Sequence, residues 1–258
     1  MGLLALQGEA YRQVGPYPLD VLGAESEGMI GYLLDQELVN ALGGRPVATL
    51  LTQVIVDRED PAFSHPTKFI GPVYDQVTAE MLATERGWRV RADGPHWRRV
   101  VPSPDPRSIV ELQTIRLLVE AGVLVVCVGG GGIPVVVDRD GRLRGVEAVV
   151  DKDRAAALLA RGLEADALLL LTDVEAIERG FGTLDATPID RATPDELRAL
   201  DLADGSMGPK AESASWFVEA TRGRAAIGSL RDARAVLEGR AGTTVAPAAA
   251  GITHENRG

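Results

Sequence analysis

Residues 123–132 read Val-Leu-Val-Val-Cys-Val-Gly-Gly-Gly-Gly. Six apolar residues without alternation, followed directly by four glycines, describe a strand buried on both faces that ends in a turn of bare backbone. The pattern repeats outward from it. Downstream, a helical stretch at 152–163 leads into the apolar run 167–171, and another at 209–221 leads into 224–227. Upstream, a helix at 107–120 precedes the glycine-ended strand, and a β-branched run at 46–56 suits a central strand. Helices alternating with continuous apolar strands predict an α/β fold, with a mostly parallel central sheet sandwiched by helices in three layers.

Between 19 and 42, Val21, Leu22, Met29, Ile30, Leu33, Leu34, Leu38 and Leu42 recur at helical spacing, interrupted by Gly23, Gly28 and Gly31. Each interior glycine costs about 1 kcal/mol against alanine, which points to a close approach of backbone to a neighbour or a subunit contact. Gly43-Gly44 ends this helix. Residues 3–13 read as a helix entered midway, because no capping residue precedes them. Composition changes between 57 and 106, which is rich in proline, charge and tryptophan, with one helical stretch near 78–85 and short strands at 88–90 and 97–101. The expected organisation is a main body of 1–56 and 107–245, a small projecting lobe of 57–106, and a disordered tail of 246–258.

With 27 basic and 37 acidic residues the net charge is −10, which offers no sequence-wide basic field for a nucleic acid. The lone Cys127 forms no disulfide within the chain and belongs to no metal or redox pair, and a reducing cytoplasm is the natural compartment. No stretch is long and apolar enough for a membrane span. His65, His96 and His254 lie far apart and read as surface residues, so no protein-held metal is expected.

Of the 27 basic residues only three are lysine: Lys68, Lys152 and Lys210. A lysine ammonium is a compact charge on a thin stem, suited to following one moving phosphoryl oxygen where an arginine fork is not. Lys152 lies in Asp151-Lys152-Asp153 at the start of a helix. Asp151 caps that helix and Asp153 accepts from its first turn or holds the lysine; capping explains the aspartates but not a cation at the positive end of the dipole. Lys210 follows Gly205-Ser206-Met207-Gly208-Pro209, a loop-to-helix turn whose amides and lysine converge on an anion. Neither segment fits the phosphate loop GxxxxGK[ST], and glycines 129–132 fail GxGxxG because Pro134 and Val135 stand where its last glycine should fall. Four glycines after a buried strand still allow a ligand to approach bare amides. Leu171-Thr172-Asp173-Val174 brings an aspartate to the same sheet edge, where it serves as a turn former or contacts a nucleotide or its Mg²⁺.

Six motifs in order together resemble carbamate kinase, of the amino acid kinase fold: Pro18-Leu19-Asp20-Val21-Leu22-Gly23-Ala24-Glu25-Ser26-Glu27-Gly28-Met29-Ile30-Gly31-Tyr32, Pro66-Thr67-Lys68, 129–134, Asp151-Lys152-Asp153, Leu171-Thr172-Asp173-Val174 and 205–210. The resemblance runs from residue 2 to about 245 and implies reversible phosphoryl transfer between MgATP and carbamate, giving ADP and carbamoyl phosphate, with a place in arginine metabolism and a homodimeric assembly. By that likeness Lys152 and Lys210 neutralise the transferring group and Asp153 orients the lysine charges. Lys68 reaches over carbamoyl phosphate from the lobe, Gly130 and Gly131 line the substrate side, and Asp173, Val174, Met207, Gly208 and Lys210 border the nucleotide. Such a site fits phosphoryl transfer, which relies on positioning and charge stabilisation.

The sequence also departs from the family pattern. A first strand, a Gly-Gly-Asn-Ala loop and a His-Gly-Asn-Gly turn precede, in the family, the helix that begins here at Met1. Met1 stands where the family usually has valine, so the expectation is a start placed inside a longer gene, with little activity and reduced stability for the chain as written. Glu178 replaces a usual tyrosine beside the nucleotide, and Phe69 a usual proline beside Lys68. Two alternatives stay open on sequence: a sister kinase acting on acetylglutamate, aspartate or a nucleoside monophosphate, and an inactive fragment that binds only nucleotide or a partner subunit.

Overall fold

Which backbone amides are taken by strands, and which by side chains, decides where the elements fall. The computed structural model describes residues 17–202 and 207–248; the expected helix at 3–13 and most of the tail lie outside them. The chain divides into two compact units, Met1–Leu159 and Ala160–Gly258.

In the first unit, helix α1 (Leu19–Leu42) has a proline at its N-cap, and its first amide is satisfied by Glu147 Oε1 at 2.9 Å. It ends at Gly43 in the left-handed conformation, φ 57°. Of its three interior glycines only Gly31 meets a neighbour: a Cβ there would collide with the Thr49 side chain, so the helix backbone rests on strand β1 (Val47–Thr49). Gly23 and Gly28 have nothing within 4 Å, and tight packing does not explain them.

The run 46–56 is two strands, not one. β1 pairs in parallel with β7 (Leu124–Val126), whereas β2 (Gln53–Val56) pairs in parallel with β8 (Ile133–Val137) and antiparallel with β6 (Pro106–Ile109). β9 (Leu143–Gly145) extends the second sheet antiparallel to β8, in the order β6-β2-β8-β9. The break has a local cause. Side chains hold the amides at the junction: Glu27 takes Thr52 N–H at 2.8 Å and Glu111 takes Gln53 N–H at 2.7 Å. The expected helix at 107–120 is shorter for a related reason. Its first residues form β6, and helix α3 (Leu112–Glu120) starts after Val110 has donated to the Gln53 carbonyl at 3.0 Å.

The segment 57–106 carries an antiparallel sheet of its own, ordered β3-β5-β4, from β3 (Lys68–Tyr74), β4 (Arg89–Asp93) and β5 (His96–Val101). Helix α2 (Gln76–Arg86) is capped by Asp75, which accepts from Thr78 N–H at 2.8 Å. β3 is the strand the sequence does not announce. Pro66, Gly71 and Pro72 read as breakers, and the register slips between Ile70 and Tyr74, with Gly71 at φ 71° absorbing the irregularity. Val101 packs with Leu19, Leu22 and Val149 in one buried cluster, and Ile70 leans on it.

Helix α4 (Lys152–Gly162) carries the chain from the first unit into the second. There β10 (Ala167–Thr172) pairs in parallel with β14 (Arg224–Ser229) over their full lengths. β15 (Thr243–Val245) lies antiparallel to β14, and β13 (Arg191–Ala192) parallel to β15. A small hairpin pairs β11 (Glu178–Arg179) with β12 (Thr187–Pro188), and helix α5 (Pro194–Arg198) opens on a capping box from Thr193 and Glu196. Helix α6 (Met207–Thr221) turns back into β14 and buries Ala211, Ala214, Phe217 and Val218. Helix α7 (Ala233–Leu237) buries Val236. The parallel pairs expected from continuous apolar runs are present in both units, with antiparallel strands added as hairpins and flanks.

Candidate active site

The glycine turn is the pivot of the site in the first unit. Val128 enters it at φ 56°, a left-handed value unusual for a β-branched residue, and Gly130, Gly131 and Gly132 follow at φ 66°, 117° and 84°. Gly131 is buried because it sits on the start of α4. A Cβ at this position would collide with the Val150 carbonyl and stand 3.3 Å from Lys152 N. Gly132 is closed off by the Val54 side chain, whereas Gly130 opens onto free space. A shallow cleft runs along the turn, lined by Leu19, Gly23, Ser26, Gly129, Gly130 and Ala148.

α4 begins at that same point. Asp151 Oδ1 caps it, accepting from Asp153 N–H at 2.9 Å and Arg154 N–H at 3.3 Å. The other oxygen, Oδ2, receives the Lys68 ammonium at 2.6 Å. Burial pushes the Asp151 carboxyl up, but the Lys68 hydrogen bond and charge, with the two amides, outweigh it and hold the group below the usual carboxylate range. Lys152 is at the first helical position with its side chain 62% exposed, its Nζ 3.9 Å from Asp153 Oδ2, while Asp153 itself is buried. Lys68, Gly131, Lys152 and Asp153 are therefore gathered around the first turn of one helix. The Lys68–Asp151 pair has no signal in the sequence: the residues stand 83 positions apart, and Lys68 lies on the unannounced strand β3.

In the second unit the expected nucleotide residues share one sheet edge. Asp173 and Val174 follow the last residue of β10, which pairs with Ser229 at the end of β14. Helix α6 runs antiparallel into β14 through a short turn, so its first residues Met207, Gly208 and Lys210 lie at that same end. Asp173 is exposed and Val174 half-buried. Lys210 is 7% exposed, an unusual state for a lysine and one that requires compensation by charge or hydrogen bonds. Gly205 and Ser206 lie outside the described residues. Glu178 is half-buried on β11, and His65 and His96 are exposed. Cys127 is partly buried in the β7 run, which pushes its thiol up to about 11.

Sequence reasoning missed one further group. Glu27, inside α1, is only 4% exposed, and its Oε2 holds the Thr52 amide. Burial, followed by the charge of Glu111, raises its carboxyl from 4.5 to about 7 against the pull of the Thr52 and Gly129 amides. The one available signal was an acid on the face of α1 otherwise occupied by Leu19, Leu22 and Gly31.

Within the first unit, a glycine turn at the end of a buried strand, set against a lysine-bearing helix start, is an arrangement suited to a phosphotransferase. The amino acid kinase family model matches residues 8–229, and the chain belongs to the amino acid kinase family. Within it the chain is similar to the carbamate kinases. It is 51% identical to that of Rhizobium meliloti over 256 residues, spanning 98% of this chain and 79% of that protein. It is 46% identical to that of Pyrococcus horikoshii over 249 residues, spanning 93% of this chain and 79% of that protein. A solved carbamate kinase from Giardia lamblia, bound to AMP-PNP, superposes with a TM-score of 0.85 at 39% identity, covering 96% of this chain and 81% of that one.

Proposed function

We propose that this phosphotransferase catalyses reversible phosphoryl transfer between ATP and carbamate. The observation that carries the reading is the seat of Gly131 against the first turn of α4, which brings bare turn backbone next to Lys152 and to the Asp151–Lys68 pair. In this reading Gly130 and Gly131 line the substrate. Lys68, from the lobe of 57–106, exchanges its Asp151 partner for carbamoyl phosphate. Lys152 and Lys210 neutralise charge on the transferring group, Asp153 orients their ammonium groups, and Asp173, Val174, Met207 and Gly208 border the nucleotide. No proton transfer or covalent intermediate is needed from the protein, because the acceptor is already an anion and the barrier falls with charge neutralisation.

Mg²⁺ belongs to the nucleotide substrate. Among the described residues no three His, Cys, Asp or Glu side chains form a metal cage, and Mg²⁺ that arrives on nucleotide phosphates needs only one or two carboxylates, a part Asp173 can fill. We further propose a homodimer, a cytoplasmic location suited to an unpaired cysteine, and a role in arginine metabolism, with ATP formed from carbamoyl phosphate in the fermentative direction.

The test is an ATP-forming assay with carbamoyl phosphate and MgADP, run beside acetyl-, aspartyl- and nucleoside-phosphate donors. Turnover with carbamoyl phosphate alone is the expected result. Preference for another donor rejects the assignment in favour of a sister kinase, and ADP binding without any turnover rejects it in favour of a binding protein.

A further inference from the structure

Glu27 stands at the base of the glycine turn, and Thr52, the residue it holds, bonds to both ends of that turn. Its Oε2 accepts from Thr52 N–H at 2.8 Å. Thr52, fully buried, reaches the turn twice: its Oγ1 accepts from Val128 N–H at 3.0 Å at the entry, and its carbonyl accepts from Ile133 N–H at 2.8 Å at the exit. The aliphatic stem of Glu27 also supports the turn from below, since a Cβ on Gly129 would stand 3.3 Å from Glu27 Cγ. The far side of the turn bears on Val150 and Lys152 through Gly131. A continuous path of contacts thus leads from the α1 carboxyl group, through Thr52 and the turn, to the start of α4.

Two features distinguish this group from an ordinary structural hydrogen bond. The turn is strained at its entry, where Val128 adopts φ 56°, and such a conformation persists only where its surroundings impose it. Glu27 also keeps one oxygen, Oε1, buried without a well-formed hydrogen bond, the pull of the Gly129 amide falling short of one. A glutamine would offer Thr52 only a neutral acceptor, but it would avoid the cost of burying an ionisable group. The titratable groups facing Glu27 are Glu111, at the start of α3, and the Cys127 thiol, neutral below about pH 11, just after β7. Glu111 is itself held on Gln53 by bonds of 2.7 and 3.0 Å.

We propose that Glu27 is the positioning residue of the glycine turn, setting through Thr52 the place of the turn relative to the first turn of α4. The proposal rests on the kinase reading above and deepens it. Glu27 does not touch the substrate; its carboxylate form tightens the Thr52 bond, since a hydrogen bond to a charged acceptor is roughly twice as strong as a neutral one.

The experiment compares wild type with Glu27→Gln and Glu27→Ala, measuring kcat and KM for carbamoyl phosphate from pH 5.5 to 9 and amide hydrogen exchange over 127–133. In the wild type kcat/KM rises about fivefold through an inflection near pH 7, carried by KM, as the neutral hydrogen bond becomes a charged one. Glu27→Gln lacks that inflection and stays at the low-pH wild-type value throughout. Glu27→Ala raises KM by roughly tenfold or more at every pH and speeds exchange at the turn while the rest of the chain keeps its protection. Superimposable profiles for wild type and Glu27→Gln overturn the proposal. So does a rise in exchange spread evenly over the chain in Glu27→Ala, which marks a general loss of stability. If the wild type does not use carbamoyl phosphate at all, the kinase reading fails, and the exchange measurement still decides whether Glu27 holds the turn.

Discussion

Lys152 occupies the first position of α4, where the helix dipole disfavours a cation by several tenths of a kcal/mol. In the proposed reading this ammonium, 62% exposed, serves the transferring phosphoryl group instead of the fold. Lys152→Ala is expected to lower kcat by about a hundred- to a thousandfold, the loss typical of one charge-stabilising donor, while the thermal midpoint stays level or rises slightly. A coupled ATP assay alongside a melting curve checks both, and a kcat loss below threefold rejects the role. Glu27 makes the same trade inside the fold. Its folded carboxyl is raised from 4.5 to about 7, so its contribution to stability is present below 4.5 and lost as pH climbs to 7. Glu27→Gln should therefore match the wild type in stability near pH 4.5 and exceed it by about 3 kcal/mol above pH 7. Urea unfolding midpoints at the two pH values decide this.

At the scale of elements, the glycine turn and α4 behave as one part. Gly131 has both a left-handed φ of 117° and the Val150 carbonyl where a Cβ would go, whereas Gly130, at φ 66°, has open space. Gly131→Ala should cost roughly 3 kcal/mol and Gly130→Ala about 1 kcal/mol in chemical denaturation, because the first adds a backbone collision to the strain that both share. Equal costs would mean that the turn does not sit on α4. β3 is tied to the same helix start by Lys68 and Asp151. Asp151 is held below 3.8 in the folded chain, so the stability it adds is present above 3.8 and lost as pH falls through its lower folded value. Lys68→Met removes the partner that outweighs burial. The acid unfolding transition should move to higher pH, with a loss near neutrality of about 1–2 kcal/mol because Lys68 is partly exposed.

For the molecule as a whole, the telling surface is α1. Met29, Ile30, Tyr32, Leu33 and Leu34 are each between 45% and 61% exposed, an apolar concentration that a solvated helix rarely presents. No described helix is long and apolar enough to cross a membrane, and a second copy of the chain is the occupant proposed for this face. Sedimentation should give about twice the chain mass of 27.3 kDa, and the double substitution Ile30→Glu with Leu33→Glu should shift the species toward monomer. A wild type that sediments as a monomer at micromolar concentration counts against the dimer.

The helix end at Gly43, the parallel apolar strands, the glycine turn and the three lysines were legible in the sequence because each depends on neighbours within a few positions: periodicity, capping chemistry and side-chain type. The division of 46–56 into two strands was not. It follows from the Glu27 and Glu111 carboxylates, 25 and 58 residues away along the chain, taking amides that a continuous ladder would have used. Strand β3, the Lys68–Asp151 pair and the hold of Glu27 on the glycine turn share that origin. A local pattern records which groups a segment offers, and only the folded chain decides which distant partner accepts them.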